Sequence, residues 1–341
     1  MRVLILGAGG FVGSNIYEVL VNSSVDVVPA VRRLSSLAGV ANKSIGDHLV
    51  KNVSQLEVQD FSNFDTVIHC VLSDYSTYSS ELLRTYRIAK KASVKQFIYI
   101  STIDVYDSFS IEDKSAEDSR LIKNGDVYGD TKIDAEKALL SEHSPNEDIK
   151  LTILRPGIIY GPKSKLWSYN IICRQLEGHW IDIQNDGIAN LTYIQDLSRT
   201  VHFCIKNRVD GTHNVVSDSI KWKNFLYEHN RIVTKYEVLA KQQVGKLQHR
   251  TINVLRGLAK SIFAKYKTPI MRLYTSKPFI RKLMKKVIAK LEAVPSDIET
   301  NVLNYPSRII NNNLKISEEY TPTDIGLKKT EIWYNSTGLI N

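Results

Sequence analysis

Tyr128 and Lys132 stand four residues apart in "VYGDTKIDAEKAL", a spacing that puts both side chains on one face of a helix. A free phenol ionises near pH 10, so at neutral pH it is a poor base. An ammonium beside it favours the phenolate and lowers that value, so the pair is suited to moving a proton to and from a substrate hydroxyl. A second hydroxyl would be needed to hold the substrate oxygen. Ser101 and Thr102, at the end of the apolar run "VKQFIYIST", are the candidates. In open α/β sheets, ligands bind at the carboxyl ends of strands. A tyrosine and a lysine at this spacing also occur in any amphipathic helix, so the reading depends on what positions them.

The N-terminal "RVLILGAGGFVGSNIYEVL" reads as an apolar strand, a glycine turn and a helix. A strand apolar on both faces belongs in the middle of a parallel sheet. Gly7 would allow the tight turn, Gly10 the approach of a pyrophosphate, and Gly13 close packing of helix on strand. Phe11 and Val12 open the helix, whose free N–H groups face the phosphates. The next strand, "VDVVPAVRR", ends in Arg32 and Arg33 where an NAD-selective site would carry an acid. A guanidinium suits a ribose 2′-phosphate, so NADP is favoured over NAD. "SIGDH" resembles a further strand end, which would bring Asp47 to the adenine side. The strand over 64–73 would pass Cys70 and Leu72 beneath the cofactor, and another spans 94–107. With the helical "SSELLRTYRIAKKA" between them, the alternation predicts a doubly wound α/β sheet of Rossmann type.

The chain has 341 residues, 43% apolar and 24% charged, the balance of a soluble globular protein with one large domain or two. No apolar run is long enough for a spanning helix, and the N-terminus reads as a buried strand rather than a signal peptide. Cys70, Cys173 and Cys204 are odd in number and widely separated, which favours a reducing compartment. The histidines show no metal spacing, and Trp167, Trp180 and Trp222 lie where a substrate cover is expected. The net charge of +9 is uneven: Lys235 to Lys290 carries +14 and the remainder −5. From Pro278, apolar Phe279, Ile280, Leu283, Met284, Val287, Ile288 and Leu291 oppose cationic Arg281, Lys282, Lys285, Lys286 and Lys290 on one helix. A packed helix with a solvated basic face and an interfacial helix on an anionic membrane are both open readings of this 236–292 segment. Nucleic acid is not expected, since no recognition module accompanies the charge.

In combination, "GAGGFVG" at 7–13, "YISTIDVY" at 99–106, "YGDTK" at 128–132, "LRPGIIYGP" at 154–162 and "YIQDL" at 193–197 resemble the extended branch of the short-chain dehydrogenase/reductase superfamily. That branch holds NAD-dependent sugar epimerases, dehydratases and reductases, and "YTPTDIGLKKTEIWYNSTGL" resembles its closing segment. The resemblance covers most of the chain apart from about 236–292. It implies Tyr128 as acid/base, Lys132 as its partner and as a contact to the cofactor ribose, Thr102 in place of the usual serine, and Pro156 as a cofactor contact. The implied chemistry is hydride exchange between NADP or NAD and a carbon bearing a hydroxyl or carbonyl.

Departures narrow the expectation. Ile158 stands where sugar-nucleotide epimerases have an asparagine, no arginine precedes "YIQDL", and the asparagine and Gly-Thr of the helix before the serine strand are not evident. These losses look more like members acting on hydroxysteroids or on sugars carried by a polyprenyl diphosphate. After Thr102 come Ile103 and Asp104, without the acid pair of dehydratases, so dehydration ranks below epimerisation or reduction. The expected protein is an NAD(P)-dependent epimerase or reductase of a nucleotide- or lipid-linked sugar in surface glycan synthesis. The alternatives are a hydroxysteroid-type or other alcohol dehydrogenase, and a non-catalytic cofactor-binding regulator or scaffold. Residues 1–165, with 190–217 returning to them, would bind the dinucleotide, and 166–189 with 218–341 the substrate. Expected partners are the sugar, an anionic membrane surface through 250–292, and a second copy of the chain as a homodimer. The expected location is the cytoplasm, with the inner face of the membrane as its extension.

Overall fold

The computed structural model describes residues 1–40, 46–106, 121–123, 125–176, 187–235, 309–316 and 318–336. Strand β1 (Arg2–Leu6) turns through glycines into helix α1 (Phe11–Asn22), followed by β2 (Asp26–Val31), β3 (Leu49–Val50) and β4 (Thr66–His69). Then come α2 (Tyr78–Lys91), β5 (Gln96–Ile100), α3 (Val127–Glu142), β6 (Lys150–Pro156) and β7 (Ile158–Tyr160). The chain continues through α4 (Asn170–Leu176), β8 (Ile188–Tyr193), α5 (Ile194–Asn207), β9 (Gly211–Val215), β10 (Asp218–Lys221), α6 (Trp222–Lys235) and α7 (Thr323–Ser336).

Seven strands form one parallel sheet in the order β3-β2-β1-β4-β5-β6-β9. β1 lies in the interior of this sheet. Its Val3 and Ile5 enter one apolar cluster, while Leu4 and Leu6 enter the other on the opposite face. That explains the unbroken apolar run: in a sheet covered on both sides neither face can be polar. α1 and α5 pack together on one face, α2 and α3 on the other. The strand order reverses between β1 and β4, which opens a crevice at their carboxyl ends. β7, β8 and β10 make a second, three-stranded sheet, with β8 parallel to β7 and antiparallel to β10.

One expectation changes. Asp47 does not reach the adenine side: it precedes β3 and pairs with Arg2, the first residue of β1, at the opposite end of the strand from Gly7. β3 instead delivers Lys51 and Asn52 to its carboxyl end. The 236–292 segment, with Trp180 and His179, lies outside the described residues.

Candidate active site

α3 starts where Asp126 caps it, the carboxylate accepting the Gly129 N–H at 2.7 Å. A methyl at Gly129 would lie 2.9 Å from the Asp104 carbonyl, so the helix start presses on the single 3-10 turn Ile103–Val105. Glycine is required there by close approach. The consequence is that Tyr128 is brought beside Thr102, whose side chain opposes the rise in the Tyr128 pKa. Thr102 also accepts the Asp104 N–H at 3.2 Å and so caps its own turn.

The other candidate hydroxyl is turned away. Ser101 donates to Glu136 at 2.5 Å, and Glu136 is itself ion-paired to buried Arg155. Arg155 donates to the Tyr106 hydroxyl at 2.9 Å, and Tyr106 donates to Asn214 at 2.6 Å. Ser101 thus belongs to a brace that ties α3 to the carboxyl ends of β5, β6 and β9.

Lys132 is buried, one turn before Glu136. Its ammonium donates to the Ile100 carbonyl and to the Tyr78 hydroxyl, each at 2.9 Å. It lies 5.8 Å from the centre of the Tyr128 ring, and closer to those of Tyr99 and Tyr78, at 4.8 and 5.0 Å. The expectation that Lys132 pulls the Tyr128 phenol down is therefore not the arrangement found. Burial pushes that phenol far up, the Asp104 carboxylate adds to the rise, and the Thr102 side chain opposes it. Burial also raises Asp104 to about 7, with Asp126 contributing and Thr102 opposing.

The nucleotide side is a cleft of about 400 Å³ at the carboxyl ends of β1, β2 and β4. Gly7, Gly10, Phe11 and Val12 form its floor, with Cys70 and Leu72 on one wall and Arg32 on the other. Gly7 has φ +83°, and a methyl there would meet the Cys70 backbone at 3.0 Å, so only glycine fits. Gly13 does not line the cleft; a methyl on it would strike the Gly7 carbonyl at 2.4 Å, so it serves helix-on-strand packing. Gly10 caps α1 without a side chain, which leaves the helix N–H groups free for an anion. The cradle fits a dinucleotide. Arg33, Asp47, Lys132 and Pro156 are not among the residues lining it, whereas Ser36 and Lys51, unremarked in the sequence, are. Among the described residues no carboxylate pairs with Arg32, and Lys51 pairs with Asp60 at 2.7 Å. Cys70 is packing rather than chemistry: burial pushes its thiol up to about 12.

The residues missed by sequence reasoning are Tyr78, Glu136 and Arg155. Glu136 had an available signal, since an acid one turn beyond Lys132 on the buried face of α3 needs a partner. Tyr78 carried none, because its partner is 54 residues away.

Similarity to known proteins agrees with this geometry. The UDP-glucose 4-epimerase of Vibrio cholerae is 30% identical over 185 residues, 48% of this chain and 53% of that protein. The N-acetyl-alpha-D-glucosaminyl-diphospho-ditrans,octacis-undecaprenol 4-epimerase of Escherichia coli O157:H7 is 24% identical over 223 residues, 62% of this chain and 65% of that one. The chain spans about half the length of the curated relatives it matches. Among solved structures, UDP-glucuronic acid 4-epimerase from Bacillus cereus, in complex with UDP-glucuronic acid and NAD, superposes with a TM-score of 0.58 at 20% identity. That likeness covers 68% of this chain and 83% of that one, and concerns the fold. The family profile described as NAD dependent epimerase/dehydratase matches residues 3–217, the stretch holding the glycine cradle, Thr102, Tyr128 and Lys132. With the sheet order, the cradle and that match in agreement, the chain belongs to the NAD-dependent epimerase/dehydratase family.

Proposed function

We propose that the protein is an NAD(P)-dependent epimerase acting on a sugar, by hydride exchange at a carbon whose hydroxyl is held by Thr102 and deprotonated by Tyr128. The observation that carries this reading is the placement of Tyr128 beside Thr102 at the carboxyl end of β5, on the side of the sheet where the glycine cradle opens. Nicotinamide, when bound, supplies a hydride acceptor that can return the hydride. Ionised as the phenolate, Tyr128 takes the hydroxyl proton as the carbonyl forms and, then a neutral phenol, gives it back on return, while Thr102 keeps the oxygen oriented throughout. Lys132 supplies positive charge 5.8 Å from the centre of the Tyr128 ring.

The finer assignment is NADP over NAD and a lipid-linked over a free nucleotide-linked sugar. Arg32, Ser36 and Lys51 line the cleft after β2 and β3, where a 2′-phosphate would meet two cations and a hydroxyl. The absence of an arginine before Tyr193, with Ile158 after β6, supports a substrate not gripped by a free nucleotide. Similarity to the undecaprenol-linked epimerase and the basic 236–292 segment support the same choice. The proposed division assigns 1–165 and 190–217 to cofactor binding, and the remainder to the substrate.

Tyr128→Phe tests the assignment. Turnover of UDP-glucose or of a polyprenyl-diphosphate sugar should fall by about 100-fold or more. NADP binding, measured by fluorescence, should stay within about threefold of wild type and exceed NAD affinity in both proteins. Turnover unchanged by the substitution would overturn the assignment. An epimerase should also leave total reduced cofactor constant, whereas net consumption would mark a reductase.

A further inference from the structure

We propose that Tyr78 is the positioning residue for Lys132, setting the ammonium through its phenol oxygen and linking it to the cofactor cleft. The inference rests on the proposed reaction only in giving Lys132 a catalytic duty. Tyr78 is the first residue of α2 and is fully buried. Its oxygen accepts from the Lys132 ammonium at 2.9 Å, and its hydroxyl donates to the Val71 carbonyl at 3.2 Å, with the Tyr99 hydroxyl at 3.3 Å. Val71 lines the nucleotide cleft. One phenol therefore joins the loop after β4, against which a dinucleotide lies, to the cation behind Tyr128.

Lys132 has few alternatives. A buried ammonium needs acceptors for its three protons, and the described partners are the Tyr78 oxygen and the Ile100 carbonyl. The three surrounding rings attract the charge by their faces but accept no strong hydrogen bond. The Ile100 carbonyl alone leaves the ammonium free to swing about one axis, and the second acceptor removes that freedom. Tyr78 thereby fixes the ammonium between its own oxygen and the Ile100 carbonyl. Tyr78 does not line the cleft, and its hydrogen bond to the ammonium is the contact through which it positions Lys132.

The test separates the phenol oxygen from the ring. Protein labelled with 15N-lysine gives ammonium signals for lysines whose protons exchange slowly, and loss of one signal in Lys132→Met assigns it. Tyr78→Phe keeps the ring and its packing while removing the acceptor. Exchange of the Lys132 ammonium protons should speed up by about tenfold or more. Tyr99→Phe, whose hydroxyl makes no hydrogen bond to the ammonium, should leave that rate at the wild-type value. In the reaction, Tyr78→Phe should lower kcat by about tenfold with cofactor affinity within about twofold, the split expected when a charge is misplaced rather than a site lost. An exchange rate in Tyr78→Phe equal to wild type overturns the proposal. Should Tyr78→Phe fail to fold, 3-fluorotyrosine at position 78 retains the oxygen as a weaker acceptor, and the same acceleration, smaller in size, is required. A wild-type protein inactive on every sugar offered would count against the proposed function while leaving the exchange result to stand.

Discussion

Asp104 is the residue whose ionisation matters most near neutral pH. Its carboxyl, raised to about 7 by burial, sits beside Tyr128 and shares Thr102 with it. In an unfolded chain the same carboxyl would ionise near pH 3.9. Between these values the folded protein holds a proton that the unfolded chain has lost, so stability falls as pH rises from about 4 to 7. Asp104→Asn removes that dependence. The variant should gain roughly 1–3 kcal/mol relative to wild type between pH 5 and pH 8, read as a narrowed gap between the Tm values at the two pH values. A gap as wide as in wild type would mean that Asp104 is already ionised in the native state at pH 5. The same substitution takes away a negative charge that disfavours the Tyr128 phenolate, so the alkaline rise of turnover should begin at lower pH.

At the level of elements, α3 is held by electrostatics as much as by apolar packing. Ile133, Ala135 and Leu139 are buried on it, and so are Lys132 and Glu136. The Glu136–Arg155 pair is buried at both ends, with the Arg155 Nε to Glu136 at 3.1 Å and Ser101 and Tyr106 completing the partners. Removing one member strands the other without water. Glu136→Ala should cost about 3–5 kcal/mol in denaturant unfolding, more than the loss of an ordinary surface pair. A cost near that of an exposed salt bridge would show that Arg155 finds another acceptor. Because Ser101 and Thr102 are adjacent, the brace also fixes the backbone that presents Thr102 to Tyr128. Ser101→Ala should accordingly be felt through the geometry of Thr102 rather than through a lost substrate contact.

On the scale of the whole molecule, the chain returns from 236–308 onto the carboxyl end of the parallel sheet. Asn311 and Asn312 bind Asn214 and Val216 there, at the end of β9, and Ile310 packs with Ile103, Val105 and Ile133 beneath the Thr102 turn. The proposed lipid-linked substrate makes the basic residues of 236–292 the group to test against an anionic surface. Each cation near such a surface contributes about 1 kcal/mol, so reversing Lys282, Lys285 and Lys286 to Glu should weaken binding to phosphatidylserine vesicles by about 100-fold or more. Sedimentation with vesicles measures this directly, and binding that survives the reversal would assign the segment to ordinary packing. No helix among the described residues is long and apolar enough to cross a membrane.

The fold was legible in the sequence because its signals are local. An apolar run, a glycine turn and a helical repeat declare β1, the cradle and α1 within twenty residues, and strand–helix alternation then leaves few sheet orders open. Tyr128 and Thr102 were singled out for a related reason, each being named by its own short motif, and the fold brings the two side by side. Asp47 was misplaced because a strand end was read from composition where register decides, and β3 begins two residues later. The partners of the charged groups were beyond reach of the sequence. Lys132 turning to Tyr78, Ser101 to Glu136 and Arg155 to Tyr106 each join residues between 35 and 54 positions apart. A buried charge takes whichever acceptor the packed elements bring within about 3 Å, and only tertiary structure decides which that is.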